Sequence, residues 1–306
     1  MFGAAFALST VPYRVAREKY AEWAPVQPDL PESWLERRYT NDASSFVEIG
    51  DARVHYRDEG PRDAPTVVAL HGSYSSLHTW EGWVDAFDDR VRVVRPTLPG
   101  FGLTGPSPDD EYDLAYYTDF LRAFCDELGL DEVALAGNSL GGTIAWRFAA
   151  TDPDRVERLL LIDAGRQKLL PDGAEIFLTP GFDLGPRYLT PRAGLRAFIE
   201  NAYGDPSKLS DETMRRYHDL LLRAGNRRAV LKLAREVGPA PFDPSAVSVP
   251  TLVQWGAADK RLPLSIGEQF AEEIPDARLE VYEEIGHMPM EEAPERTARD
   301  ALAFLE

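Results

Sequence analysis

A serine becomes a nucleophile only when it is exposed in the right geometry and a neighbouring base removes its proton. One serine of this 306-residue chain sits in a string built for that exposure. Gly137-Asn138-Ser139-Leu140-Gly141 follows the apolar run Val133 to Ala136 and precedes Thr143, Ile144, Trp146 and Arg147 at helical spacing. A serine on so sharp a strand-to-helix turn has strained backbone geometry, and glycines flank it because a Cβ there would collide with the neighbouring strand or helix. The turn lifts the Ser139 hydroxyl above the sheet. It also leaves the Leu140 N–H at a helix N-terminus, where it can stabilise a developing oxyanion.

Five histidines could supply the base. His287, in Gly286-His287-Met288, lies between the run Leu279 to Tyr282 and a terminal helix, so it can reach the sheet edge that presents Ser139. His55 falls in an opening hairpin, His78 at a helix start and His218 in a helical insertion, positions whose default role is structural. An imidazole acting as base needs an acceptor that fixes its tautomer and stabilises its charged form. Asp259 follows the strand Thr251 to Trp255, and Gly256 and Pro263 bracket a turn that aims it at His287. Asp163, after Leu159 to Ile162, is the rival acid.

The fifth histidine opens His71-Gly72-Ser73-Tyr74 directly after Val67 to Leu70, and a second string, Leu98-Pro99-Gly100-Phe101-Gly102, follows a later strand. With the nucleophile turn and the chain order Ser, Asp, His, these resemble the α/β-hydrolase superfamily. The resemblance covers about Phe46 to the C-terminus. It implies a mostly parallel twisted sheet with helices on both faces, a Ser139-His287-Asp259 triad, and Ser73 and Leu140 as the oxyanion donors, with His71 holding its loop. Thr97 departs from the pattern, standing where many members carry aspartate; its hydroxyl could remake the lost hydrogen bond. The elbow and the His71-Gly72-Ser73 loop look like those of lid-bearing esterases, lactonases and carbon–carbon bond hydrolases.

The elements that must position these groups are legible as alternating short β-branched runs and helical stretches from Ser45 onward. Phe46 to Ile49 and Arg53 to Arg57 form the hairpin; Thr66 to Leu70, Val91 to Arg95, Val133 to Ala136, Leu159 to Ile162, Thr251 to Trp255 and Leu279 to Tyr282 read as buried strands. Helical spacing covers Leu77 to Phe87, Tyr116 to Leu128, Leu140 to Ala150, Leu264 to Ile274 and Pro294 to Leu305. The rhythm breaks between about Gly165 and Val247, where Ala193 to Tyr203, Asp211 to Arg223 and Arg227 to Val237 are helical and no strand pattern occurs. The expected organisation is a peripheral helical segment (1–44), a hydrolase core (45–164 and 248–306) and a helical lid (165–247) over the strand ends. An independent helical domain is the alternative for 165–247.

Composition narrows the chemistry further. Hydrophobic residues make up 44% and charged residues 27%, enough for a full core without metals or disulfides. Cys125 has no partner in the chain and sits among Phe120, Leu121, Phe124 and Leu128, so it reads as a buried, inert thiol. The formal charge of −18 argues against nucleic acid and anionic membranes as partners. The acidic, lysine-poor composition suits a high-salt medium and a generally soluble protein alike. Met1 to Leu8 is far short of the about 20 apolar residues that span a bilayer, and its basic residues follow it, unlike a signal peptide. The expected location is therefore the cytoplasm. Gly100-Phe101-Gly102-Leu103-Thr104-Gly105 fits GxGxxG, but Pro106, Pro108, Asp109 and Asp110 continue a loop where a dinucleotide site needs a helix.

The reading is a serine hydrolase that cleaves an ester or lactone of a small-molecule substrate through an acyl-enzyme, with no metal or organic cofactor. Alternatives on the same scaffold are a carbon–carbon bond hydrolase of dienolic keto acids, a cofactor-free perhydrolase or lyase, and a poorly turning-over ligand receptor. A keto acid would call for a cation under the lid, with Arg166, Arg187, Arg192 and Arg196 the candidates. Ile176, Phe177, Phe182, Tyr188 and Tyr203 could line a pocket or fill a core, and oligomeric state is not legible.

Overall fold

A computed structural model describes residues 27–165, 190–237 and 243–306. The readings of Met1 to Leu8, Arg166, Arg187, Ile176, Phe177, Phe182 and Tyr188 lie outside these residues. Eight strands form one sheet: β1 (Ser44–Ile49), β2 (Ala52–Glu59), β3 (Thr66–Leu70), β4 (Arg92–Pro96), β5 (Val133–Asn138), β6 (Val156–Ile162), β7 (Thr251–Gly256) and β8 (Ala277–Tyr282). Their order is β1-β2-β4-β3-β5-β6-β7-β8. β2 is antiparallel to both β1 and β4, and every later pairing is parallel.

All residues of β5 and β7 are buried, as strands covered on both faces must be. β8 differs from the buried strand its sequence suggests. It is the sheet's edge, its residues alternate between half-buried and exposed, and only Tyr282 is buried. The helix expected from Leu77 to Phe87 is also two pieces, a 3₁₀ turn (Leu77–Trp80) and an α-helix (Glu81–Phe87). Helices Leu114–Glu127, Leu140–Thr151, Leu264–Glu273 and Pro294–Leu305 match expectation within two residues. Asp113 caps the first by accepting the Tyr116 N–H at 2.8 Å. Cys125 lies buried on it, and burial pushes its thiol up to about 12, which keeps it inert.

The chain adds β4 on one side of β3 and β5 on the other, so the winding reverses at β3. Open α/β sheets place their crevice outside the strand ends at such a reversal. Between β6 and β7 run helices Arg192–Glu200, Asp211–Leu221 and Asn226–Glu236. Their buried residues, among them Leu195, Met214 and Val230, join the same hydrophobic cluster as the sheet. The segment before β1 packs on this insertion through Leu30, Leu35 and Tyr39 against Leu220 and Leu222, and Tyr39 donates to Asp219 Oδ2 at 2.8 Å. No described helix is long and apolar enough to cross a membrane.

Beside β2 the core holds unused histidines. His55 is fully buried against the Phe46 ring at 5.1 Å, with neither ring nitrogen hydrogen-bonded. Burial, then the charges of Arg57, Arg95 and Arg53, pulls its pKa down to about 3. Burial does the same to His71, to about 4, and drives His78 well below the usual range. All three stay neutral in the fold, whereas an unfolded chain protonates them at about pH 6.5. Stability from these groups is therefore complete above that pH and lost as pH falls, by about 1.4 kcal/mol per pH unit for each histidine. We expect His55→Phe, which sets an apolar ring against Phe46, to reduce the slope of unfolding free energy between pH 6 and 5 by about that amount. Urea titrations at the two pH values would show an unchanged slope if the account is wrong.

Candidate active site

The register of the parallel strands sets the site. Leu70 pairs with Gly137, Asn138 with Ile162, Ile162 with Gln254 and Gly256 with Tyr282, so five strands end within three residues of one another in register and their following loops share one rim. At the centre Ser139 has φ +52°, the left-handed strain expected of the turn. Its carbonyl accepts the N–H groups of Thr143 and Gly165, both at 3.0 Å. A Cβ on Gly141 would overlap the Leu70 carbonyl, and one on Gly137 would overlap the Gly141 carbonyl. Both glycines are thus dictated by the close approach of helix and strand.

The loops after β7 and β8 meet just as closely, since a Cβ on Gly256 would overlap the Gly286 carbonyl. Across that contact His287 Nδ1 donates to Asp259 Oδ2 at 2.7 Å. Asp259 Oδ1 accepts the N–H of Arg261 at 2.6 Å and of Leu262 at 3.1 Å. Burial pushes this carboxyl up, but the His287 bond and charge together with those N–H groups outweigh it and hold Asp259 below its ordinary value. Asn138 Nδ2 donates to the carbonyls of Ile162 at 3.1 Å and His287 at 3.0 Å, tying the serine turn to the histidine loop. Ser139 Oγ and His287 are not hydrogen-bonded to each other among the described contacts. Such bonds commonly close only with substrate in place. The rival acid, Asp163, makes no hydrogen bond to His287 and instead accepts the Gly256 N–H at 3.1 Å.

On the other side of Ser139, His71 is held by two backbone groups. Its Nδ1 donates to Gly72 O at 2.8 Å and its Nε2 accepts the Leu98 N–H at 3.0 Å, which fixes the neutral tautomer and the loop. Tyr74 there has φ +65°, and the Ser73 hydroxyl is buried without a partner. The backbone N–H groups of Ser73 and Leu140 donate to no acceptor among the described residues. Thr97 partly replaces the missing aspartate, its hydroxyl accepting the Leu77 N–H at a long 3.5 Å. The glycines at 100, 102 and 105 form a closed turn with a Phe101–Gly105 bridge, and the next helix begins only at Leu114. That loop has no helix N-terminus to offer a pyrophosphate.

Asp163, Asp259 and His287 bring donor atoms within 4.8 Å of one another, a spacing a metal ion could use. The hydrogen bonds just described occupy Asp259 and His287 Nδ1 and leave one carboxyl oxygen, Asp163 Oδ2, unpartnered. A single free oxygen is a poor cage for a cation, which takes at least four ligands.

Two neighbouring glutamates that no motif announces bind the insertion to the histidine loop. Buried Glu292 accepts the N–H groups of Gly204 at 3.0 Å, Asp205 at 3.2 Å and Gly286 at 2.8 Å. Glu291 accepts from Thr79 at 2.5 Å, Tyr217 at 2.7 Å and Tyr203. The His287 N–H itself donates to Ala202 O at 2.6 Å. Tyr203, left open between pocket and core, is buried and spent on this junction. A cavity of about 400 Å³ begins at Tyr74 and is walled by Pro191, Leu195, Phe198, Leu221 and Val230. Ser139 and His287 do not line it, whereas Tyr74, next to Ser73, does. Of the candidate cations, Arg196 is paired with Glu200 and Asp211, and Arg227, a cavity residue missed in the sequence, is paired with Asp29. Arg192, next to the cavity wall, and Arg261, stacked 4.0 Å over the Phe198 ring, form no ion pair among the described residues.

A family model described as "Alpha/beta hydrolase family" matches residues 67–301. The 2-hydroxy-6-oxononadienedioate/2-hydroxy-6-oxononatrienedioate hydrolase of Paraburkholderia phymatum is 30% identical over 88% of this chain and 95% of its own length. The 2-hydroxy-6-oxo-6-phenylhexa-2,4-dienoate hydrolase of Burkholderia cepacia is 27% identical over 86% of this chain and 96% of its own. Among solved structures, the enol-lactonase from Burkholderia xenovorans LB400 aligns with a TM-score of 0.73, at 20% identity over 85% of this chain and 99% of that one. The meta-cleavage product hydrolase of Pseudomonas fluorescens IP01 aligns at 0.74, with 23% identity over 85% and 96%.

We expect Gly141→Ala to destabilise the fold by about 2 kcal/mol or more, because backbone must move to admit the methyl group. Thermal unfolding checks this, and a melting temperature equal to that of the parent would contradict the packing described.

Proposed function

The chain belongs to the alpha/beta hydrolase family and is a hydrolytic enzyme, and from that premise we propose that it cleaves a carbon–carbon bond in a dienolic keto acid, using Ser139, His287 and Asp259. The observation that carries the triad is the 2.7 Å bond from His287 Nδ1 to Asp259 Oδ2, on the rim where Asn138 ties the Ser139 turn to the His287 carbonyl. The substrate class draws on relatives whose names describe 2-hydroxy-6-oxo dienoates. It takes precedence over the ester or lactone read from the sequence, which uses the same three groups.

In such a substrate, moving the proton of the 2-hydroxyl to C5 creates a ketone conjugated to the chain. His287 then takes the Ser139 proton as Oγ adds to the C6 carbonyl, and the Ser73 and Leu140 N–H groups hold the oxyanion. Collapse breaks the C5–C6 bond. Its electron pair passes into the conjugated ketone, so the leaving carbon never carries an isolated charge, and water releases the acyl group from Ser139. Asp259 stabilises the imidazolium through both steps. The helices at 192–236 act as the lid, with the apolar cavity beside Tyr74 taking the acyl side. Arg192, next to the cavity wall, and Arg261, over the Phe198 ring, are the cations offered to the acid group.

Ser139→Ala or His287→Ala should lower turnover by roughly 10³-fold or more. Keto acids and nitrophenyl esters offered side by side, followed by loss of dienolate absorbance and release of nitrophenol, test the substrate class. Fast turnover of esters with none of keto acids would return the reading to ester cleavage.

A further inference from the structure

We infer that Asp163 is a positioning residue for the catalytic acid: a neutral carboxylic acid that stands behind Asp259 and donates its proton to it. This rests on the triad reading above. Asp163 directly follows β6, the strand between those that carry Ser139 and Asp259, and is fully buried. It is over-determined by its backbone, held at φ +41° with its N–H on Gln254 O at 3.0 Å. Its Oδ1 accepts the Gly256 N–H, while its Oδ2, equally buried, has no partner. Carboxyl oxygens of Asp163 and Asp259 lie within 4.8 Å of each other and of His287.

Two carboxyls so close and so dry do not both ionise. The proton goes to the one whose anion is less well held. Asp259 has His287 and two N–H groups; Asp163 has one N–H, and the charged groups facing it are Asp259 and Glu292. Burial and then the Asp259 charge raise the Asp163 carboxyl well above its usual range, in agreement. A protonated Oδ2 is no longer an orphan, since it has a hydrogen to give and Asp259 beside it. That bond would fix the orientation of Asp259 and withdraw part of its charge. Removing the donor should leave the full Asp259 charge at the site and move the acid limb of its reactivity to higher pH.

The test measures fluorophosphonate labelling of Ser139 against pH, which needs no knowledge of the substrate. Asp163→Asn, whose amide can still donate, should stay within about threefold of the parent with its acid limb unmoved. Asp163→Ala should label at least roughly tenfold more slowly, with the limb displaced upward by about one pH unit. In the infrared, the parent should show the carbonyl stretch of a buried protonated carboxyl that Asp163→Asn lacks, a readout that survives if Asp163→Ala fails to fold. Asn and Ala variants that behave alike, or the absence of that band, would overturn the inference. Normal labelling without keto-acid turnover would count against the substrate class alone, and labelling of Ser139→Ala against the triad.

Discussion

Five parallel strands finish within a few residues of one another because each is hydrogen-bonded in register to the next, and the groups proposed for catalysis stand on the loops that leave those ends. Strand periodicity makes the arrangement intolerant of slippage, because a one-residue shift turns every side chain of a strand to the opposite face. It also explains why glycine recurs where loops leave the sheet. Ends so close in register force turns against neighbouring backbone, at Gly141 against Leu70 and at Gly256 against Gly286, with no room for a methyl group. Only a few ångströms separate these loops, and within that space a carboxylate, an imidazole and an amide lock the rim together.

Much of this was legible in the sequence because it is local. The Ser139 turn announces itself by flanking glycines between an apolar run and a helical pattern. Asp259 and His287 follow runs that read as strands. The structural role of His71 also emerged as expected, with both ring nitrogens on backbone groups. What escaped is what depends on distant partners. Asn138 occupies a variable position of the turn motif, and its bond to the His287 carbonyl spans 149 residues. Glu291 and Glu292 belong to a polar run with no periodic signature, and their partners lie between 74 and 212 residues away or on a folded-back loop. β8 misled for a different reason: its composition suits a strand, but burial is set by place in the sheet, and it stands at the edge.

The buried histidines beside β2 show how differently one residue type is used within a fold. His55 and His78 are kept neutral by burial among arginines, and the ring of His55 serves as an apolar plate against Phe46. His287 instead donates its Nδ1 hydrogen to a carboxylate. Environment and not residue identity decides which imidazole can take a proton.

The junction between the insertion and the histidine loop carries a mechanical implication. Ala202 holds the His287 backbone, and the adjoining Gly204 and Asp205 share the Glu292 carboxylate with Gly286. Whatever tilts the insertion away from the sheet therefore pulls on the His287 peptide. Under the proposed lid and triad, admission of a ligand and readiness of the imidazole are geared together, and a wide-open molecule idles until the helices settle back.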